Sequence, residues 1–156
     1  MRMRIASLDA MAELGGALAD VARPGDTIAL SGDLGAGKST LARAILKALD
    51  FAGEVPSPTF ALILPYDPPE VRIPVIHADF YRLDGAMDLE ELGLDAGEPA
   101  LLIAEWPERV GGLAGPDTLQ LRIEGTDASE RLLTAQPGER WQARWQHIAG
   151  GRFVRA

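Results

Sequence analysis

No cysteine occurs in the 156 residues. That excludes a disulfide framework and a thiolate zinc site, and it fits a reducing compartment. A surplus of basic charge is missing as well. Fifteen Lys and Arg face 23 Asp and Glu, for a net charge of −8. A protein that grips nucleic acid by itself normally presents a basic surface, so any nucleic-acid role is expected to be indirect. No apolar run approaches the roughly 18 residues of a membrane span. The start, MRMRIASLDAM, has two arginines but no apolar stretch behind them, so a secretory signal is not expected. The expected location is the cytoplasm.

What remains is an ordinary globular composition, 47% hydrophobic, and a length sufficient for one core. Ser7 is placed to cap a helix to about Ala22, with Leu8, Met11, Leu14, Leu18 and Val21 roughly on one face. Pro24-Gly25-Asp26 ends it. TIALS (27–31) has strand character, and STLARAILKALD (39–50) repeats apolar residues at helical spacing. FALILPY (60–66) and VRIPVIH (71–77) read as strands joined by a turn at Asp67-Pro68-Pro69-Glu70. MDLEELGLD (87–95) suggests a short acidic helix. ALLIAE (100–105) is an unbroken apolar run ending in a carboxylate, the pattern of a strand buried on both faces. TLQLRIEG (118–125) alternates like a strand with one wet face, RLLTAQ (131–136) is placed to pair with it, and ERWQARWQHIA (139–149) reads as a closing helix. The order indicates an α/β fold with a partly parallel sheet.

Between the first strand and the second helix lies Gly32-Asp33-Leu34-Gly35-Ala36-Gly37-Lys38-Ser39, a full match to G-x-x-x-x-G-K-[ST]. The glycines let backbone N–H groups turn inward around phosphate oxygens, and the following helix presents its positive end to them. Lys38 has the reach for β and γ phosphates, and the Ser39 hydroxyl suits Mg²⁺, which prefers hard oxygen ligands. A Rossmann dinucleotide site has no need of Lys-Ser directly after its last glycine.

Binding is not hydrolysis. Hydrolysis also needs a metal, a positioned water and a group to orient it, expected at the carboxyl end of a neighbouring strand. Two residues qualify. Glu105 emerges from the cleaner buried run and is the first candidate for a metal or water role, against an ordinary strand-end charge. Asp79 closes VIHAD, where a metal or water role and a turn hydrogen bond stand level. His77 beside it reads more readily as a simply hydrogen-bonded histidine than as a catalyst. Thr59, in Ser57-Pro58-Thr59, is either a γ-phosphate sensor or a hydroxyl closing a proline turn. Arg82 is an arginine finger or a surface ion-pair partner, and Trp106 a packing residue or a platform for Glu105 or a partner. Residues 84–100 hold six acidic residues and no arginine, a poor lid for a small-molecule kinase.

Together, GDLGAGKST, SPTF, HADFYRLD and IAEWPE, in this order and spacing, resemble the TsaE family, from about Leu8 to about Leu133. Many relatives carry two threonines after the lysine where this chain has Ser39-Thr40, which keeps a hydroxyl for Mg²⁺. The resemblance implies one P-loop NTPase domain over residues 1–156, α/β, with a mixed, mostly parallel sheet flanked by helices. It implies an ATPase that docks on the TsaB–TsaD pair, which places threonylcarbamoyl on the adenosine beside the anticodon of transfer RNAs reading ANN codons. ATP and Mg²⁺ are then the expected cofactors, with transfer RNA met only through partners. Gly32 to Thr40 (Gly32, Asp33, Leu34, Gly35, Ala36, Gly37, Lys38, Ser39, Thr40) match the nucleotide-binding positions, and Ser39 and Glu105 the metal positions. Thr59, Asp79 and Glu105 match positions needed for hydrolysis, and Trp106 the neighbouring tryptophan. The tail from Trp141 matches no motif of the family.

Overall fold

A computed structural model describes residues 1–56, 63–83, 90–94, 97–111, 113–125, 130–150 and the backbone of 154–155. Its strands are β1 (Arg2–Ile5), β2 (Thr27–Ser31), β3 (Ile63–Tyr66), β4 (Val75–Asp79), β5 (Leu101–Glu105), β6 (Thr118–Gly125), β7 (Arg131–Pro137) and β8 (Val154–Arg155). Its α-helices are α1 (Leu8–Val21), α2 (Lys38–Ala48) and α3 (Gln142–Ala149). One sheet runs in the order β3-β4-β5-β2-β6-β7-β1-β8. Its centre, β4-β5-β2-β6, is parallel, and the remaining neighbours pair antiparallel. The sheet is mixed, with β1, β2, β4, β5 and β6 sharing one direction.

Local sequence accounts for the central elements. All five residues of β5 are buried, as its unbroken apolar run requires. Ser7 caps α1 by accepting from Ala10 N at 3.1 Å. The larger core joins Leu14 and Leu18 of α1, Leu41 and Ile45 of α2, and Trp145 and Ile148 of α3 to Ile28, Leu30, Ile103 and Leu121 of the sheet. A smaller core packs Ala78, Leu102 and Ala104 with Phe80, Val110 and Leu113. The α-helical packing therefore falls in one core, and the other is closed by the segments flanking β4 and β5.

Several expectations need correction. The N-terminus, left unassigned by the sequence, is a strand. Met3 and Ile5 are buried, and the strand pairs with β7 from Arg2↔Thr134 to Ile5↔Arg131. β4 begins at Val75 rather than residue 71, and the connection from β3 covers residues 67–74. The segment before β4 is held by the end of α2 instead of by β3. Arg72 N donates to Leu49 O at 2.9 Å, its guanidinium donates to Ala48 O at 2.6 Å, and Val71 enters the core. Of the acidic helix expected over 87–95, the described residues Glu90–Leu94 form turns, with Gly93 at φ +73. Residues 60–62 of FALILPY lie outside the described residues.

Of the tail from Trp141, the described residues 141–150 pack into the fold. Trp141 and Trp145 are fully buried, and Trp141 Nε1 donates to Asp117 O at 2.9 Å. Arg144 lies over the Trp141 ring at 4.0 Å and grips the buried Asp26 through two hydrogen bonds, 2.7 and 3.1 Å. That pair ties α3 to the turn leading into β2.

The two helices nearest the glycine loop touch at Gly15. A Cβ there would sit 2.5 Å from Ala44 Cβ and 2.9 Å from Ala44 carbonyl carbon, whereas one on Gly16 would meet nothing within 4 Å. Gly16→Ala is therefore expected to stabilise by about 0.5–1 kcal/mol through helix propensity, and Gly15→Ala to destabilise by about 1–3 kcal/mol through overpacking. Urea unfolding of the two variants checks the opposite signs.

Candidate functional site

β2 delivers the chain into the loop at the carboxyl edge of the parallel strands. Gly32, Gly35 and Gly37 have φ of +135, +78 and +113, a region that L side chains rarely enter. At Gly32 a Cβ would also overlap the carbonyl oxygen of Ile123 on β6. The loop therefore runs hard against the sheet and hands directly to α2, whose first residue is Lys38. Lys38 Nζ donates to Gly32 O and, at 2.9 Å, to Asp33 O, and it lies 4.3 Å from the centre of the Trp106 ring. Burial pulls its pKa below the ordinary lysine value, opposed by the charges of Glu105, Glu108, Asp79 and Asp33.

Register brings the carboxylates to the same edge. Asp79 pairs with Glu105 across β4 and β5, and Glu105 with Leu30 across β5 and β2. Ser39 Oγ donates to Glu105 Oε1 at 2.8 Å. His77 Nε2 lies 2.6 Å from Glu105 Oε2 in a fully buried contact. Asp79 Oδ1 accepts from Tyr81 N at 2.9 Å, so it does form the turn hydrogen bond that stood as its alternative reading.

A cleft of about 730 Å³ opens over these groups. Gly35, Gly37, Lys38, Ser39 and Thr40 line it with Asp79, Glu105 and Trp106, and Leu34 projects into it, 71% exposed. Asp33 stands at its rim, exposed, and Ala36 is buried beneath the loop. Trp106 packs against the smaller core and lies beside Lys38. Its backbone is left-handed (φ +57), and its ring packs against Tyr81 at 4.9 Å with Arg109 at 5.7 Å. Arg82 is exposed beside Tyr81. Thr59 lies outside the described residues.

Sequence reasoning missed the far wall. Ser7, Leu8, Asp9 and Met11, at the start of α1, and Arg131, at the start of β7, also line the cleft. Arg131 Nε donates to Ala36 O at 2.8 Å, so a cation from the distal part of the chain holds the glycine loop. The only local signal was Ser7, legible as a cap and nothing more.

The donor set fits a small hard cation. Ser39 and Glu105 offer two oxygens already within hydrogen-bond distance, and among the described residues no group of three His, Cys, Asp or Glu is placed to cage a metal. Mg²⁺ is commonly held in this way, by one or two protein oxygens with phosphate and water completing the shell.

The strand, glycine loop and helix, with strand-end carboxylates beside them, define a P-loop NTPase fold. The solved crystal structure of Bacillus subtilis YdiB has the same fold, with a TM-score of 0.77 over 96% of this chain and 94% of that one, at 24% identity. The family described as threonylcarbamoyl adenosine biosynthesis protein TsaE matches residues 5–133. The tRNA threonylcarbamoyladenosine biosynthesis protein TsaE of Streptomyces coelicolor is 39% identical over 138 residues, covering 84% of this chain and 93% of that protein. Its Bacillus subtilis namesake is 35% identical over 116 residues, 72% of this chain and 70% of that protein. The chain belongs to the TsaE family.

The loop geometry separates strain from overlap. Gly35→Ala meets no atom within 4 Å and carries only left-handed strain, about 1–2 kcal/mol. Gly32→Ala adds a backbone overlap and is expected to cost more, about 3 kcal/mol. Thermal unfolding of the two variants tests that order.

Proposed function

We propose that the protein binds ATP with Mg²⁺ at the glycine loop and hydrolyses it to drive the TsaB–TsaD pair in threonylcarbamoyladenosine modification of transfer RNA reading ANN codons. The observation that carries the nucleotide reading is the Ser39–Glu105 hydrogen bond beside the loop. It joins the hydroxyl of the phosphate-loop motif to a strand-end carboxylate, as a shared metal position requires. Membership of the family supports the transfer-RNA pathway, and the resemblance supports the partner pair.

In this reading the backbone N–H groups of the loop and the positive end of α2 hold the phosphates. Lys38 leaves the carbonyls of Gly32 and Asp33 for the β and γ phosphates, and the Trp106 face keeps the ammonium in the cleft. Ser39 and Glu105 would hold Mg²⁺, which would supply neutralising positive charge for the phosphates. Asp79, at the level of Glu105, orients the attacking water. Water adds to the γ-phosphorus, the bond to the β–γ bridging oxygen breaks, and ADP and phosphate leave. Thr59 is assigned to sensing the γ-phosphate. Leu8 and Met11 offer apolar surface to the base, and Arg131 adds a cation at the rim. The acidic net charge agrees with transfer RNA being held by the partners.

The primary test is ATPase activity of the protein alone and with TsaB–TsaD and transfer RNA. Slow turnover alone and faster turnover with partners is expected; a fast rate indifferent to partners contradicts the assembly role. Lys38→Ala should weaken nucleotide binding about 10- to 100-fold, the worth of a charge-assisted hydrogen bond, and abolish hydrolysis. Fluorescent-nucleotide titration measures the first and phosphate release the second. Glu105→Ala should lower kcat on the order of 100-fold while leaving ATP affinity far less changed. Equal loss of both would assign Glu105 a structural role instead.

A further inference from the structure

His77 is the one buried imidazole contact in the described site, and the proposed chemistry does not use it. Its side chain is 1% exposed, and that of its partner Glu105 is 3% exposed. Register pairs His77 with Ile103, so Glu105 stands two residues further along the neighbouring strand, on the same face of the sheet. The imidazole thus reaches diagonally from β4 to β5. A carboxylate oxygen only accepts, so Nε2 carries the proton and donates. Nδ1 is buried and has no hydrogen-bond partner among the described residues. As a lone pair that costs less than as a stranded N–H donor, which assigns the Nε2–H tautomer.

The consequence lies in the division of the carboxylate. Oε2 belongs to His77 at 2.6 Å, and Oε1 to Ser39 at 2.8 Å. With each oxygen tied to a different partner on a different element, the carboxylate is fixed in rotation, and only one oxygen faces the Ser39 hydroxyl.

We propose that His77 is a positioning residue that keeps Glu105 a one-oxygen ligand, and thereby favours Mg²⁺ over the larger Ca²⁺ at this site. Mg²⁺ takes its six oxygens at short distance from separate groups, whereas Ca²⁺ accepts both oxygens of one carboxylate in a looser shell. Partners that orient a ligating group commonly set metal affinity by 10- to 100-fold. The inference rests on the metal role proposed for Ser39 and Glu105.

The test is binding, without turnover. Affinity for a non-hydrolysable ATP analogue is measured in EDTA, in Mg²⁺ and in Ca²⁺, for the wild type, His77→Leu and His77→Gln. In His77→Leu the gain in affinity on adding Mg²⁺ should fall about tenfold, with affinity in EDTA unchanged and the ratio of Mg²⁺ to Ca²⁺ support reduced. His77→Gln, whose amide N–H reaches the position of Nε2, should recover most of both. If His77→Leu fails to fold by circular dichroism, His77→Asn, polar but too short to reach Glu105, replaces it. An unchanged Mg²⁺ gain and Mg²⁺/Ca²⁺ ratio, or a loss that Gln does not rescue, overturns the role of His77. A wild type that binds the analogue equally with and without Mg²⁺ overturns instead the metal site on which the inference rests.

Discussion

A carboxylate stands inside the sheet, and much of the site is arranged around it. Glu105 is 2% exposed, in a strand buried at every position. A charge taken that far from water is tolerated only with close polar partners. Ser39 and His77 provide them, one from the first turn of α2 and one from β4. Both depend on the parallel centre of the sheet. The β4–β5 register sets the diagonal to His77, and the β5–β2 register sets the level at which the loop and α2 begin. The close fit of α1 on α2 at Gly15 packs the two helices beside the loop.

The cleft has an electrostatic character that net charge does not convey. The molecule is acidic, and four carboxylates act on Lys38. In the proposed reading, anion affinity therefore comes from short-range groups: the loop N–H groups, the end of α2, Lys38 and Arg131. In the proposed reading this explains why a divalent cation is required. Phosphates brought beside Asp79 and Glu105 would otherwise meet like charge at close quarters. The aromatic ring of Trp106, under the lysine, adds attraction for the ammonium without adding a competing anion.

The sequence was most legible where function or burial writes a local pattern. β2 and β6 have the bounds that periodicity predicted, β5 starts one residue later, and α1 and α2 agree to within about two residues. β1 was illegible because four residues carry too little periodicity to stand out, and only its distant partner makes RMRI a strand. The start of β4 was misplaced because residues 71–74 are apolar enough for a strand, yet Arg72 bonds to the end of α2 rather than to β3. Within the site, Ser39, Asp79 and Glu105 were visible as strand-end and loop chemistry. Arg131, Leu8 and Met11 were not, since nothing in the local sequence of either segment refers to the glycine loop. His77 is hydrogen-bonded, as its leading reading had it, but its partner Glu105 was not legible. A lone histidine near a strand end has no distinguishing context until register shows what lies diagonally opposite.

The pairing of β1 with β7 joins residues 2–5 to residues 131–134. On a growing chain the first strand waits for its partner until residues 131–134 have been made, and such long-range pairings are slow to close. The parallel centre of the sheet also waits on β6, but β1 and β7 carry the two sides of the far wall, with Ser7 and Leu8 following one and Arg131 opening the other. That wall cannot assemble before residues 131–134 have been made. Vectorial synthesis thus delays the finished cleft until β7 has emerged, so that a nascent fragment holding the glycine loop alone presents a cleft open on one side.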